Sequence, residues 1–317
     1  MKKFITHIAS FFLVFIVIFA SILIFNFVLV STTKIDIPVS KKILILGDSN
    51  SECAINDSIY NHSINLSASS DSYFYSYLKL NKIIESNQID TLMLSFSPQN
   101  IFDNGWLFND SHIYSRFRIY YPLMNRDDMM FLIKNNLFAS LKSTFAIPKQ
   151  AILNTAKKLI NKPYHYGQFN SLNRNILFEV QEKLKKGEKL PFFKIPETLR
   201  TSDYEIKYLN KIIYLCNREN IKLVLVNMPK RRELLEYSKY GVKEFNNFYD
   251  LNYSNIEYFD FSKLKMPDDF YGDFVHLNIK GSTYFSQLLN SKGLESLKSK
   301  YERTTKYKNN SRNSSNY

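Results

Sequence analysis

From Ile8 to Val30 the chain runs for 23 residues without a charge, IASFFLVFIVIFASILIFNFVLV. As a helix this stretch is about 35 Å long at ~1.5 Å per residue, enough to cross a hydrocarbon core of about 30 Å. A secretory signal has a shorter apolar region, about 7–15 residues, followed by a small-residue cleavage site. The sequence after the run, VLVSTTKID, contains no A-x-A. Residues 1–34 therefore read as a short tail and an uncleaved signal anchor. Lys2 and Lys3 precede the span and Lys34, Lys41 and Lys42 follow it, so the lysine asymmetry is slight. A short charged tail with a large domain behind it is expected to stay in the cytoplasm. The globular part is then expected on the periplasmic or extracellular side.

Beyond a tether, STTKIDIPVS, apolar runs alternate with helical patterns. ILIL (Ile43 to Leu46) is wholly apolar, as for a strand buried on both faces of a parallel sheet. INL (Ile64 to Leu66), DTLMLSFS (Asp90 to Ser97), IKLVLVNMP (Ile221 to Pro229) and NIEYFDFS (Asn255 to Ser262) read as further strands. Between them lie helical patterns: DSYFYSYLKLNKIIE, with Asp71 as N-cap, SDYEIKYLNKIIYLCNREN, KRRELLEYSKYGVKEFNNF and, last, NIKGSTYFSQLLNSKG. This rhythm predicts an α/β domain, a mostly parallel sheet flanked by helices with right-handed crossovers. Residues from about 100 to 200 break the rhythm and read as a large insertion carrying the basic segment EKLKKGEKLPF. It could serve as a lid or bind a polymer. The polar tail, residues 301–317, is expected to be disordered.

Composition removes several classes. Two cysteines, Cys53 and Cys216, are too few for a disulfide framework and leave one bridge or two buried thiols open. The five histidines are scattered without metal-ligand spacing, so no metal is expected. The net charge of +13 suits anionic polymers or headgroups, or is a lysine-rich solvated surface. No zinc finger, RNP-type aromatic motif or basic heptad accompanies it, which argues against nucleic acid.

In open parallel sheets functional groups gather beyond the carboxyl ends of the strands. Ser49 follows the first predicted strand, SPQN (Ser97 to Asn100) follows a later one, and YGDFVHLNIKG (Tyr271 to Gly281) lies beyond the last. Asp273 and His276 are spaced D-x-x-H just before the final helix. The Asp carboxylate can accept from imidazole Nδ1–H, fixing the tautomer and leaving Nε2 free to take a serine proton. Ser49, Asp273 and His276 are thus the candidate catalytic residues. A lone D-x-x-H occurs often by chance, but its pairing with G-D-S after the first strand is more specific.

These blocks, Gly47–Ser49, Asn65–Ser72, Ser97–Ile101 and Asp273–His276, resemble the SGNH (GDSL) hydrolase superfamily. The resemblance implies a three-layer, flavodoxin-like α/β domain over residues 35–300, with Ser49 as nucleophile and Asp273 and His276 completing the triad. It also implies an oxyanion hole from the backbone N–H groups of Ser49 and Ser70 and a side-chain amide. The family pattern N-x-G-x-x-G-[DE]-[ST] here reads NLSASSDS, with Ser67 and Ser70 in place of glycines. The G-x-N-D block reads SPQN, so Gln99 or the adjacent Asn100 would be the amide donor. The ending DFVHLNIKG is similar to membrane-anchored DltD-type proteins, which take part in acylating cell-wall polymers. The expected function is therefore a membrane-anchored serine esterase or O-acyltransferase acting on acyl esters of a cell-surface glycan, without cofactor. A transferase would need a multi-span membrane partner supplying the acyl donor. A non-catalytic envelope binding or assembly protein on the same scaffold is the other reading.

Other polar residues have plainer readings. Ser49 could simply cap the next helix. Asp48 ties the turn, and Cys53 packs beneath it. His62, His112 and His165 read as loop or surface residues. SYFYSY reads as core packing, and the pairs Asp127-Asp128 and Asp268-Asp269 as solvated loops, the latter close enough to the triad to shape its mouth.

Overall fold

The computed structural model describes residues 1–103, 108–160, 166–172, 182, 185–186, 200–232 and 239–301. The basic segment Glu182 to Phe192 and the first part of the helix expected from Lys230 lie mostly outside these residues. So do His165 and the tail beyond Tyr301.

The expected α/β class is what the chain adopts. Five strands, β1 (Ile43–Leu46), β2 (Ser63–Asn65), β3 (Thr91–Ser95), β4 (Lys222–Asn227) and β5 (Glu257–Asp260), form one sheet in the order β2-β1-β3-β4-β5. Every pairing is parallel, with Leu44 opposite Leu92, Leu92 opposite Leu223 and Leu225 opposite Tyr258. Leu44, Ile45, Leu46, Leu92, Met93, Leu94, Val224, Leu225 and Val226 are fully buried. Continuous burial of neighbouring residues requires cover on both faces, which explains why these strands read as unbroken apolar runs rather than alternating ones.

The chain forms two compact units. One comprises Pro38–Ser76, Gln88–Asn104 and Gly167–Tyr317 and contains the sheet. On one face of that sheet, Ile45, Met93, Val224, Val226 and Phe259 pack with Phe261 and with Phe285 and Leu289 of the last helix. Elsewhere in this unit aromatic rings do the packing. Phe96 stands 4.8 Å from Phe245 and 5.4 Å from Tyr258, while Phe74 is 4.8 Å from Tyr208. The SYFYSY segment thus buries Tyr73, Phe74 and Tyr75, as core packing predicts.

Helix α1 (Lys2–Thr32) belongs to the other unit, made of Met1–Ile37, Tyr77–Asn87 and Gly105–Tyr166. It is long and apolar enough to cross a membrane. Most of the insertion's described residues are helical: α5 (Asp110–Tyr120), α6 (Arg126–Asn135) and α7 (Leu137–Leu159). Two expectations fail here. Asp127 and Asp128 are not loop residues but lie in the first turn of α6, where a carboxylate opposes the exposed N–H groups, and Asp128 is buried. His112 is not on a loop or the surface. It is buried in the first turn of α5, where burial and then the Arg116 charge push its imidazole down to about 3.

Further helices among the described residues are α2 (Ser49–Ala54), α3 (Tyr73–Ile84), α4 (Pro98–Ile101), α8 (Asp203–Arg218), α9 (Lys239–Asn252) and α10 (Ile279–Tyr301). Asp71 does not occupy the cap position expected of it: α3 starts at Tyr73, whose N–H donates to the Glu205 carboxylate at 2.9 Å. The last helix does not stop at Gly293. That glycine adopts φ 65° and the helix resumes to Tyr301, a conformation open to glycine at small cost. Both cysteines are free and buried, and burial pushes each thiol up to about 12.

Shortening Leu225 in the middle of β4 removes a fully buried side chain from a sheet packed on both faces. Leu225→Ala is expected to lower unfolding free energy by about 2–5 kcal/mol. A reduced urea midpoint at unchanged slope in the detergent-solubilised chain would register it.

Candidate active site

The sheet order places β1 between β2 and β3, so the chain leaves β1 at the point where connections diverge to opposite sides. The crevice beyond the carboxyl ends of the strands opens there. The turn at that point is Gly47–Asp48–Ser49. Gly47 has φ 151°, and a Cβ on it would stand 2.3 Å from the Ser95 Cβ and 2.6 Å from the Ser51 Oγ. Only glycine lets the end of β1 pass this close to β3. Ser49 then opens α2, with Asp48 as N-cap.

Asp48 does tie the turn. Its Oδ1 accepts from the Asn50 N–H at 2.9 Å and from the Ser95 hydroxyl at 3.4 Å. Its Oδ2 accepts from the Asn100 amide at 3.0 Å, and the Asn50 amide reaches both oxygens at 3.1 Å. The carboxylate joins the ends of β1 and β3 and the starts of α2 and α4.

Ser49 and His276, 227 positions apart in the chain, meet with Oγ 2.8 Å from Nε2. On the other side of the ring Nδ1 is 2.7 Å from Asp273 Oδ2. Asp273 Oδ1 accepts from the backbone N–H groups of Val275 and His276 at 2.8 and 2.7 Å, the tight local turn that D-x-x-H spacing permits. Burial raises the Asp273 carboxyl, but the His276 hydrogen bond and charge and the two N–H donors outweigh it, so the net shift is downward. The acid stays ionised and accepts from Nδ1, leaving Nε2 able to take the serine proton. His276 and Asp273 side chains retain 18% and 13% of their exposure, so the dyad is sheltered but open to a substrate.

The four residues named for the oxyanion hole fall into distinct situations. The Ser49 and Ser70 N–H groups make no hydrogen bond among the described residues. Ser70 is exposed with φ 63°, the left-handed conformation a glycine would adopt without cost. Its neighbour is clamped, because the Ser69 hydroxyl and N–H bond to Glu52 on α2. Asn100 donates to Asp48, while Gln99 accepts weakly from the Asn50 amide at 3.4 Å and has no partner for its own NH2 among the described residues.

Several residues outside the predicted triad and oxyanion set also hold the site's surroundings together. Asn65 donates to the carbonyls of Ser51 and Ile55 at 2.9 and 2.8 Å and accepts from the Ser67 N–H at 3.0 Å, holding the second block against α2. Gly167 sits so close to the Leu66 carbonyl, 2.2 Å from a hypothetical Cβ, that only glycine fits. Asp268 and Asp269 are exposed as expected, in the short 3-10 turn Asp268–Phe270, and there Asp268 pairs with Arg231 at 3.3 Å and Asp269 with Lys280 at 3.0 Å. Glu205, Glu52 and Lys230 carried no signal, because burial of a charged residue on an otherwise ordinary surface pattern is not visible in sequence. No group of three or more potential metal ligands occurs among the described residues.

Glu205 gives the site's surroundings a pH dependence. Burial pushes its carboxyl up to about 8, with the Tyr73 N–H opposing and the Asp48 charge adding to the rise. The ordinary value is 4.5, so between 4.5 and about 8 the folded chain holds a proton that the unfolded chain has lost. Its stabilising contribution is complete below the lower value and declines as pH rises through the upper one. Glu205→Gln, which keeps an acceptor for Tyr73, is expected to flatten that decline when unfolding is measured across the window.

No model of a known protein family matches the chain. A search of curated proteins likewise returns no match.

Proposed function

We propose that the chain is a membrane-anchored serine esterase or O-acyltransferase of SGNH type, acting outside the membrane on acyl esters of a cell-surface glycan. The observation that carries this reading is the continuous hydrogen-bonded line Ser49–His276–Asp273 at a switch point of a parallel sheet. An acid, a base and a hydroxyl from opposite ends of the chain have no structural need to align in this order.

In the proposed reaction the Ser49 Oγ attacks the ester carbonyl while its proton passes to His276 Nε2, and Asp273 stabilises the imidazolium through Nδ1–H. The N–H groups of Ser49 and Ser70, with an amide from Gln99 or Asn100, receive the negative oxygen of the tetrahedral intermediate. Gln99 is favoured between the two amides, since Asn100 already donates to Asp48. Collapse breaks the C–O bond, and His276 returns the proton to the departing alkoxide. Water or a sugar hydroxyl then attacks the acyl-serine with His276 again as base, giving hydrolysis or transfer. Helix α1 supports the membrane attachment, and the net charge of +13 suits an anionic envelope polymer.

The test uses the full chain in neutral detergent with 4-nitrophenyl acetate, following nitrophenolate release and acetyl mass on the Ser49 peptide. Both signals are expected in the parent and absent in Ser49→Ala and His276→Ala. Gln99→Ala is expected to slow turnover by about 10²–10³ as an oxyanion donor is lost. Equal background release in all variants, with Ser49 unmodified, would sink the catalytic reading in favour of a binding role.

A further inference from the structure

Helix α7 (Leu137–Leu159) is turned inside out relative to a helix of a water-soluble protein. Its buried residues are Ala139, Ser140, Ser143, Ile147, Ala151 and Asn154, nearly all small or polar. Its large apolar side chains point away: Phe138 is 82% exposed, Phe145 68%, Ile152 69% and Leu159 79%. Leu141 is half exposed and lies on the same side. The positions 138, 141, 145, 152 and 159 repeat at helical spacing, so they form one stripe rather than scattered exceptions. In water such a helix would bury the stripe and expose the serines, and a contiguous apolar face of this length needs a cover. Small residues at the helix contact with large apolar ones outside is the arrangement expected where the surroundings are lipid.

The same compact unit supplies a second observation. The Phe145 ring stands 5.7 Å from that of Phe19, inside the uncharged run of α1. One step further along both helices, the Asn154 amide donates to Asn26 Oδ1 at 3.2 Å, and Asn26 donates to the Tyr121 hydroxyl at 2.9 Å. The order 19 with 145 and 26 with 154 means that α1 and α7 run side by side in the same direction. The stripe therefore lies alongside the helix that is long and apolar enough to cross a membrane, whose residues Phe11 to Ile18 are themselves at least half exposed. Lys142 and Lys149 lie beside the stripe, and both are exposed. Lysine at the margin of an apolar face can place its ammonium at the headgroups while its stem stays on apolar surface.

We propose that α7 is a second membrane-embedded element, its Phe138–Phe145–Ile152 face set into the acyl region of the bilayer that α1 enters. The stripe's occupant is lipid. The proposal shares with the functional reading only the placement of α1 in a membrane, and owes nothing to the triad.

The test uses the full chain with Trp106→Phe, reconstituted in phosphatidylcholine and phosphatidylglycerol vesicles, with one tryptophan at a time introduced as Phe12→Trp, Phe145→Trp or Ile152→Trp. Quenching by phosphatidylcholine brominated in its acyl chains is compared with that of N-acetyltryptophanamide in the aqueous phase. Emission from both α7 positions is expected to fall by about twofold or more, as for a residue inside the acyl region. Quenching at Phe12→Trp alone would overturn the proposal and leave α1 in the membrane. No quenching at any position would overturn both. Blue-shifted emission at α7 without quenching would mean that protein covers the stripe, a second copy included, and would also overturn it.

Discussion

The close approach of Gly47 to Ser95 is the constraint on which the site depends. A methyl group at Gly47 would overlap the neighbouring strand, so the chain can turn from β1 into α2 within two residues, Gly47 and Asp48, only because none is there. That turn puts Asp48 at the cap and Ser49 at the first helical position. The Asp48 carboxylate then receives the Asn50 N–H and the Ser95 and Asn100 side chains. One buried charge thereby fixes the ends of two strands relative to each other, and with them the loops that would carry the oxyanion donors.

More titratable side chains are buried around this site than an apolar core requires. Glu205 and Lys230 are both buried and both feel the field of Asp48. Burial pushes the Lys230 ammonium down, while the charges of Asp48 and then Asp260 hold it up. A buried carboxylate is tolerable when hydrogen-bond donors surround it. Asp48 and Asp273 both meet that condition, chiefly through backbone N–H groups and side-chain amides whose positions the local turns already set. The acid that orients His276 is thus kept ionised by its own loop, and it needs no distant cation.

Helix α7 obeys the opposite rule to the sheet unit. In the sheet unit the large aliphatic and aromatic residues point inward, as the 0% exposure of Leu92, Leu225 and Phe259 shows. In α7 they point outward, over a contact face of alanine, serine and asparagine. The contrast follows from solvent. Apolar surface gains by leaving water, but in hydrocarbon that gain vanishes, and close backbone approach with satisfied amides decides which face packs.

Much of the architecture is legible in the sequence. The unbroken apolar runs Ile43–Leu46 and Leu223–Val226 specify doubly covered strands, because no half-exposed strand would place so many apolar residues in succession. The uncharged stretch Ile8–Val30 specifies a helix able to cross a bilayer by its length alone. The pairing of a serine after the first strand with D-x-x-H before the last helix could also be read, since order along a parallel sheet determines which end each loop occupies. Tertiary structure decided what no local pattern encodes. It set the 2.8 Å contact across 227 positions and committed Asn100 rather than Gln99 to Asp48. It buried Glu205 and placed His112 inside a helix. Each of these depends on which surfaces meet. Local sequence fixes the period and the turn, whereas burial and partnership of a polar group are set by residues far away in the chain.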